Sequence, residues 1–584
     1  MSASLSALRG RSDLLKYGKG NALMLFSLQL KFGIEDIDSV AAVALTDDKN
    51  DKKCDMVYID RDNGIIVLAQ SYHSERSRKG AKANKASDLN TAASWLLAGD
   101  LSTLPEALKS AAIEVRDALG KDEINELYIW FCHNLPETEV VQRELTSAVN
   151  TAASLLRSHF PESSVPSVTA EEIGTGQLEA LYQRVKTPIV VTDNYTLEIP
   201  GGFETFGDGW KAYCTSVSAG WLHDIWKHHK VKLTSPNVRG YLGIVKSRRN
   251  INHGIKTTLK ETPERFWIYN NGLTVLVNDY QVREAVGSHT LRISGIGIIN
   301  GAQTTGSIGT LPELEANNID SAQVMVRFVQ CNSSEIVEQI VKYNNTQNKV
   351  EASDFRSKDP VQERLREEFR GIPDSDYRGG RRGGARDAIE RSKNLLPDGA
   401  VAQSLAAFHG KPNVAYNETR RIWEEDAVYA SVFSDKTSAR HIVLTYSLQR
   451  AIEEIKRDLS QADAENPQQA TPTYMNFLKK RGSIPLLVFS IAECMEIITG
   501  RVISERRSLI FDENVAPREA IEKWKPIVRS MLPFVHHLEN AVDNNLKSPE
   551  KVRESSRNFQ SMVESIVALE STRYQSFSES LKWT

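Results

Sequence analysis

Three short segments concentrate side chains that can both donate and accept hydrogen bonds. They are Phe266 to Thr274 (FWIYNNGLT), Ile299 to Gly306 (INGAQTTG) and Tyr343 to Val350 (YNNTQNKV). Each starts at the end of an apolar run, and each is dense in amides and hydroxyls and nearly free of charge. Amides that donate and accept together are what reading a base edge or a nucleotide requires. In INGAQTTG an apolar strand ends at Ile299, Asn300-Gly301 turns the chain, and Gln303, Thr304 and Thr305 open a helix. Free N–H groups at a helix start, with hydroxyls nearby, suit an anion such as phosphate. Local roles compete with these. Asn300-Gly301 and the threonines also make a plain turn and N-cap. Asn271-Gly272 between two β runs makes a type I′ hairpin turn, which leaves only Asn270 over. A helix ending at Tyr343 needs one left-handed residue such as Asn344, not five polar residues in a row. The candidate ligand-binding residues are therefore Asn270, Asn271, Asn300, Gln303, Thr304, Asn345 and Gln347.

A second constellation is DMVYIDRDNGIIVLAQSY, from Asp55 to Tyr72. Met56 to Ile59 and Ile65 to Ala69 read as strands joined by Asp62-Asn63-Gly64, a hairpin signal. The hairpin brings Asp55, at the start of one strand, to the same end as Gln70 in the next. Tyr72 closes the second strand with a phenol that is neutral near pH 7. Arg76, Arg78, Lys79, Lys82 and Lys85 follow. The plain reading is a structural hairpin with Asp55 as a surface charge. A third segment, YRGGRRGGARDAIER from Tyr377, sets Arg378, Arg381, Arg382 and Arg386 among glycines. A flexible arginine loop suits phosphate backbones, and Tyr377 could stack on a base. A solvated linker explains it equally, because Asp387 and Glu390 dilute the charge.

The elements that must position these residues fall into three parts, as 584 residues suggest. Residues 1–170 alternate short strands with helices: Ala22 to Lys31 and Ala86 to Leu97 (with Asp88 as a cap) are helical, Leu127 to Cys132 is a buried strand, and Glu137 to Phe160 is a long amphipathic helix. That order predicts a mixed sheet covered by helices. Residues 171–394 form a second α/β part, with strands in IVVT, FWIYNNGLTVLV, LRISGIGIIN and AQVMVRFVQ and helices at Ala219 to Lys230 and Ser334 to Tyr343. Residues 395–584 are mostly helical. Trp267, in an apolar context beside the NNG turn, reads as core.

Composition narrows the classes. Hydrophobic content of 40% and charged content of 25% are ordinary for a globular protein, and a net charge of −3 gives no global basic field. The five cysteines are scattered, odd in number and without a CxxC pair, against a disulfide framework or a zinc site. A reducing cytoplasm is the expected location. The N-terminus has no apolar core followed by a cleavage site, and SIPLLVFSIAECMEIITG is interrupted by glutamates, so no membrane role is expected. There is no P-loop and no GxSxG, and the adjacent pairs His228-His229 and His536-His537 do not face one site on a helix.

FWIYNNGLTV, IINGAQTTGSI and YNNTQNKVEASDFRSKDPVQERLREEF together resemble the AIPR family, whose name stands for abortive infection phage resistance. NVRGYLGIVKSRRNINHGIKTTL, from Asn237 to Leu259, fits the same pattern. The resemblance runs from about Pro236 to Phe369 and extends more thinly to about Phe433. The amide segments are also loosely similar to DGQHR-type and ParB/sulfiredoxin-like modules, some of which bind nucleotide, although the arginine of DGQHR is absent. The AIPR resemblance implies a bacterial or mobile-element protein of antiphage defence, acting on DNA or RNA. A defence-system partner protein and a homo-oligomer are further expectations.

Many proteins of that family carry a restriction-endonuclease-like domain ahead of the AIPR region, and the opening hairpin is similar to its PD-(D/E)xK core. In that core the aspartate holds Mg²⁺, which prefers hard oxygen ligands, and a Glu or Gln oxygen assists. Metal and lysine stabilise the charge added as water attacks phosphorus. The resemblance implies Asp55 as metal ligand, Gln70 as the assisting residue and Mg²⁺ as cofactor. Tyr72 stands where the lysine belongs. Three readings stay open: a lysine migrated to Lys79 or Lys82, a pseudonuclease that still binds nucleic acid or a partner, or a structural hairpin. The expected fold class is thus α/β: a restriction-endonuclease-like mixed sheet, an AIPR α/β core and a helical C-terminal region. The expected function is metal-dependent phosphodiester hydrolysis in abortive infection or, alternatively, a non-catalytic sensor or adaptor.

Overall fold

A computed structural model describes residues 2–46, 52–161, 166–186, 189, 191–230, 233–234, 255–285, 288–311, 319–331, 336–337, 339–340, 353, 356–380, 394–465 and 472–583. The chain is mixed α/β. The hairpin expected from Asp62-Asn63-Gly64 forms between β1 (Met56–Asp60) and β2 (Ile65–Tyr72). Its turn spans residues 61–64 with only Gly64 at positive φ (+67°), and Asp60 Oδ1 accepts the Asn63 N–H at 2.9 Å. β3 (Glu126–His133) and β4 (Ser167–Ile173) then add parallel to β2, giving a four-stranded sheet in the order β1-β2-β3-β4. Parallel neighbours need crossovers. Helices Ala83–Ala98 and Glu106–Gly120 join β2 to β3, and Glu139–His159 joins β3 to β4.

Each face of this sheet is dry. Val57, Ile66, Leu68, Leu127, Ile129 and Phe131 pack under the crossover helices. Met56, Val67, Ala69, Trp130 and Cys132 pack under helix Lys19–Phe32, which is buried almost all round. That helix reads apolar on every side for this reason. Asp88 lies inside helix Ala83–Ala98 and does not cap it: the helix starts three residues earlier than the Ala86 start expected from its apolar pattern, with Lys82 at the cap position.

The second sheet has seven strands: β5 (Val191–Ile199), β6 (Gly202–Gly207), β7 (Trp210–Ser218), β8 (Leu273–Val277), β9 (Asp279–Ala285), β10 (Ser288–Asn300) and β11 (Gln323–Cys331). Its order is β5-β10-β8-β11-β7-β6, with β9 paired to β10. β8 and β11 are parallel and the rest antiparallel. Helices Ala219–His229 and Ala302–Gly309 cover the inner face, where Leu273, Val275, Ile298, Val326 and Phe328 are buried. FWIY is not a strand. Phe266–Tyr269 is one helical turn, so Asn271-Gly272 joins a helix to a strand and is no type I′ hairpin. Only Gly272 of the pair has positive φ (+75°).

From Asp398 the chain is mostly helical around one large core that includes the 27-residue helix Ala439–Glu465, with one short antiparallel pair between Leu509–Phe511 and Leu581–Trp583. Trp524 is fully buried there and its indole N–H donates to Leu444 O at 2.9 Å. Among the described residues, no helix is long and apolar enough to cross a membrane.

Candidate functional site

At the open end of the first sheet Asp55 stands just before β1. Its Oδ2 accepts the Ser71 N–H at 2.8 Å and the Ser71 hydroxyl at 3.1 Å. The carboxylate therefore extends the β1–β2 ladder by one rung. Helix Lys19–Phe32 begins against the same hydroxyl: a Cβ on Gly20 would lie 2.5 Å from Ser71 Oγ. Side chains alternate along a strand, so Gln70 and Tyr72 leave β2 on the face opposite Ser71. Gln70 is buried and its Oε1 has no hydrogen-bond partner. Tyr72 packs against the apolar layer beneath the crossover helices. Asp55 and Gln70 thus share a sheet end but turn to different faces. That does not suit one shared Mg²⁺. Among the described residues no three His, Cys, Asp or Glu side chains group to hold a metal. Lys79 and Lys82 are both exposed.

The same sheet end carries a pair that the sequence reading did not single out. His133 Nε2 donates to Glu172 Oε1 at 3.0 Å while its Nδ1 accepts the Leu135 N–H. Glu172 also accepts the Thr138 N–H at the start of helix Glu139–His159. Both side chains are almost fully buried, and with every atom engaged they act as a clamp between β3, β4 and that helix. No local signal marks them, since they are 39 residues apart.

Two of the three amide segments converge at the second sheet. β10 ends at Asn300, and Gly301 turns into helix Ala302–Gly309 at φ +97°, where a Cβ would run into Leu273. Asn270 Nδ2 donates to Thr304 Oγ1 at 3.1 Å, and Asn270 Oδ1 accepts the Gly272 N–H at 2.9 Å. The residue that no hairpin explained is thus the one that ties the two segments together. Asn271 is exposed, Asn300 and Gln303 are half-buried, and Thr304 is buried. Asn345 and Gln347 lie outside the described residues.

Strand register adds what the sequence did not reveal. Asn300 pairs with Thr274, Thr274 with Arg327, Arg327 with Cys214, and Cys214 with Phe203. These five residues form one row across β10, β8, β11, β7 and β6 on the outer face. Arg327 Nη2 donates to Thr274 Oγ1 at 2.7 Å. Trp267 is 47% exposed rather than core, with its indole N–H on Ser216 Oγ at 3.0 Å. A one-turn helix cannot bury successive residues on one side, so Phe266 goes in and Trp267, Ile268 and Tyr269 stay out. Arg327 was hidden in an apolar run, where only the two-residue period marks it as outward-facing.

The root of the arginine segment is built rather than loose. Tyr377 is buried and donates to Gln362 Oε1 at 2.6 Å, so it is not available to stack on a base. Gln362 donates on to Tyr429, and Tyr429 to Asp359. Arg378 lies 3.4 Å from Glu35 and 3.7 Å from Asp376. Asp398, buried, accepts the N–H groups of Gly379 and Gly380 at 3.0 and 2.6 Å. Burial nonetheless raises its pKa to about 6. Arg381, Arg382 and Arg386 lie outside the described residues.

A family model described as AIPR protein matches residues 235–531, just over half of the chain, covering the amide segments, the arginine segment and most of the helical region. No curated protein and no solved structure matches.

Proposed function

The chain belongs to the AIPR protein family, and from that premise we propose that it is an abortive-infection antiphage defence protein that binds nucleic acid without cutting it. Family membership suggests the defence role. The binding role falls to the second sheet, where Asn270, Asn300 and Thr304 meet at the end of β10 and the start of the helix after Gly301. Toxicity would then come from a partner that this chain informs.

The observation that carries the non-hydrolytic reading is the hairpin end. Asp55 is engaged by Ser71 while Gln70 leaves on the opposite face, and a phenol occupies the position of the expected cation. A reaction that adds negative charge at phosphorus needs fixed positive charge there. One observation favours the hydrolase reading instead: the buried Gln70 Oε1 lacks a partner, as a metal-directed oxygen would.

The test uses the full chain with labelled single- and double-stranded DNA and RNA, in Mg²⁺ or Mn²⁺, beside Asp55→Ala. Binding without cleavage is expected for both proteins. Cleavage by the wild type that Asp55→Ala abolishes would replace this reading with the hydrolase.

A further inference from the structure

Resting on the reading that the second sheet binds nucleic acid, we propose that its ligand is a single strand laid across the outer face, held by Arg327, Trp267 and Phe203. Asn300, the residue with which the row begins, was read from sequence. The other three were not, and they supply what amides lack: a cation and exposed ring faces.

Arg327 stands in the middle of the row, on the central part of the sheet. Its side chain is exposed and touches a neutral hydroxyl, Thr274 Oγ1. No carboxylate pairs with it among the described residues. The nearest acid along β6, Glu204, is one residue from Phe203 and so on the other face, where it accepts from Tyr280. An exposed guanidinium flanked by hydroxyl and amide groups, with no acid on its row, complements a phosphate.

Rings flank this cation on two sides. Phe203 lies two strands away in the same row, about 10 Å at the usual strand spacing. It is 64% exposed. Trp267 is anchored through its N–H to Ser216, which follows Cys214 by one same-face step along β7. The indole is held at its edge, which leaves a face open. Met325, opposite Ser216 and one same-face step from Arg327, is exposed as well. Ring faces on a sheet stack unpaired bases, whereas a duplex offers none. The far half of the same face is closed, because Val337 and Ile340 pack on Ala212, Leu276, Ile299 and Val329. The open half is therefore a bounded platform for a few nucleotides.

The experiment measures anisotropy of a fluorescein-labelled 12-nucleotide single strand, as DNA and as RNA, with the full chain, and follows tryptophan emission in parallel. Single strands are expected to bind more tightly than the matching duplex and to quench emission. Trp267→Leu should remove most of the quench and weaken binding roughly tenfold. Arg327→Gln should weaken binding similarly and lower the slope of log K against log salt by about one, with Arg327→Lys restoring the slope. Unchanged circular dichroism melting separates these effects from misfolding. Equal duplex affinity overturns the proposal, as does full competition by a free mononucleotide at matched concentration. Single-strand binding that survives Arg327→Gln and Trp267→Leu but fails in Asn300→Ala sinks this platform and leaves the amide-site reading standing. No binding to any nucleic acid defeats both.

Discussion

His409 and His441 show how far a single residue can depend on what lies across the core. Their Nε2 atoms are 2.9 Å apart, and His441 Nδ1 donates to Leu509 O at 2.8 Å. His441 therefore presents a bare Nε2 that accepts from His409, and both rings are neutral. Burial, the neighbouring ring and Arg507 hold His409 down at about 2, and burial holds His441 at about 4. Both folded values lie below that of an unfolded histidine, near 6.5. The unfolded chain thus binds more protons as pH falls, and the stabilisation present above about pH 6.5 is lost on the way to about pH 4. Asp398 has the opposite sign, since its raised value removes stability between about 3.8 and 6 as pH rises. The decisive measurement is consequently a comparison. His409→Gln should flatten the fall in melting temperature between pH 6.5 and 4.5 relative to wild type, and an identical fall would contradict the neutral pair. Such partners explain why residue types alone misled. Trp267 and Tyr377 were read by chemistry, but exposure of the first and burial of the second are decided by β7 and by Gln362.

Elements with strong local signals were legible. The hairpin of β1 and β2, the buried strand β3, the long helix Glu139–His159 and the turn at Asn300-Gly301 all follow from short-range pattern and turn chemistry. Elements set by distant neighbours were not. FWIY has strand-like composition, yet it becomes a single helical turn before β8, which then pairs parallel with a strand about 50 residues on. The Gly379-Gly380 turn is another case. Both residues have positive φ, at +54° and +79°, and both N–H groups point at Asp398. A Cβ on Gly380 would lie 2.5 Å from Ser353 O. Gly380→Ala should therefore cost at least the roughly 1–2 kcal/mol of a left-handed non-glycine residue. Limited proteolysis should register this as a faster loss of the intact chain. Gly399→Ala, where a Cβ meets open space, is the control and should leave the rate unchanged.

On the scale of the whole molecule, the first sheet and the helical region are joined by charges taken out of water. Arg450 is buried and reaches Asp36 at 2.7 Å, Ser39 at 2.9 Å and Glu453 at 2.5 Å, so it links the cap of helix Ile37–Ala44 to helix Ala439–Glu465. Lys456 donates to Ala42 O at 2.6 Å, and burial brings its pKa down to about 7. Arg481 Nη1 meets Glu114 at 2.8 Å and its Nη2 reaches Val57 O, on β1 itself. Charges buried in this way add specificity more than net stability, but removing one partner strands the others. Arg450→Ala leaves Asp36 and Glu453 facing each other without a cation, which typically costs about 3–5 kcal/mol. The loss falls on the joint rather than on either core. Calorimetry of Arg450→Ala should accordingly resolve an early transition of the first sheet from a later one of the helical region, with the later midpoint near that of wild type. A uniform downward shift of one transition would instead mean that Arg450 stabilises the helical core, and that the joint to the first sheet is held by Arg481, Lys456 and the apolar contacts without it.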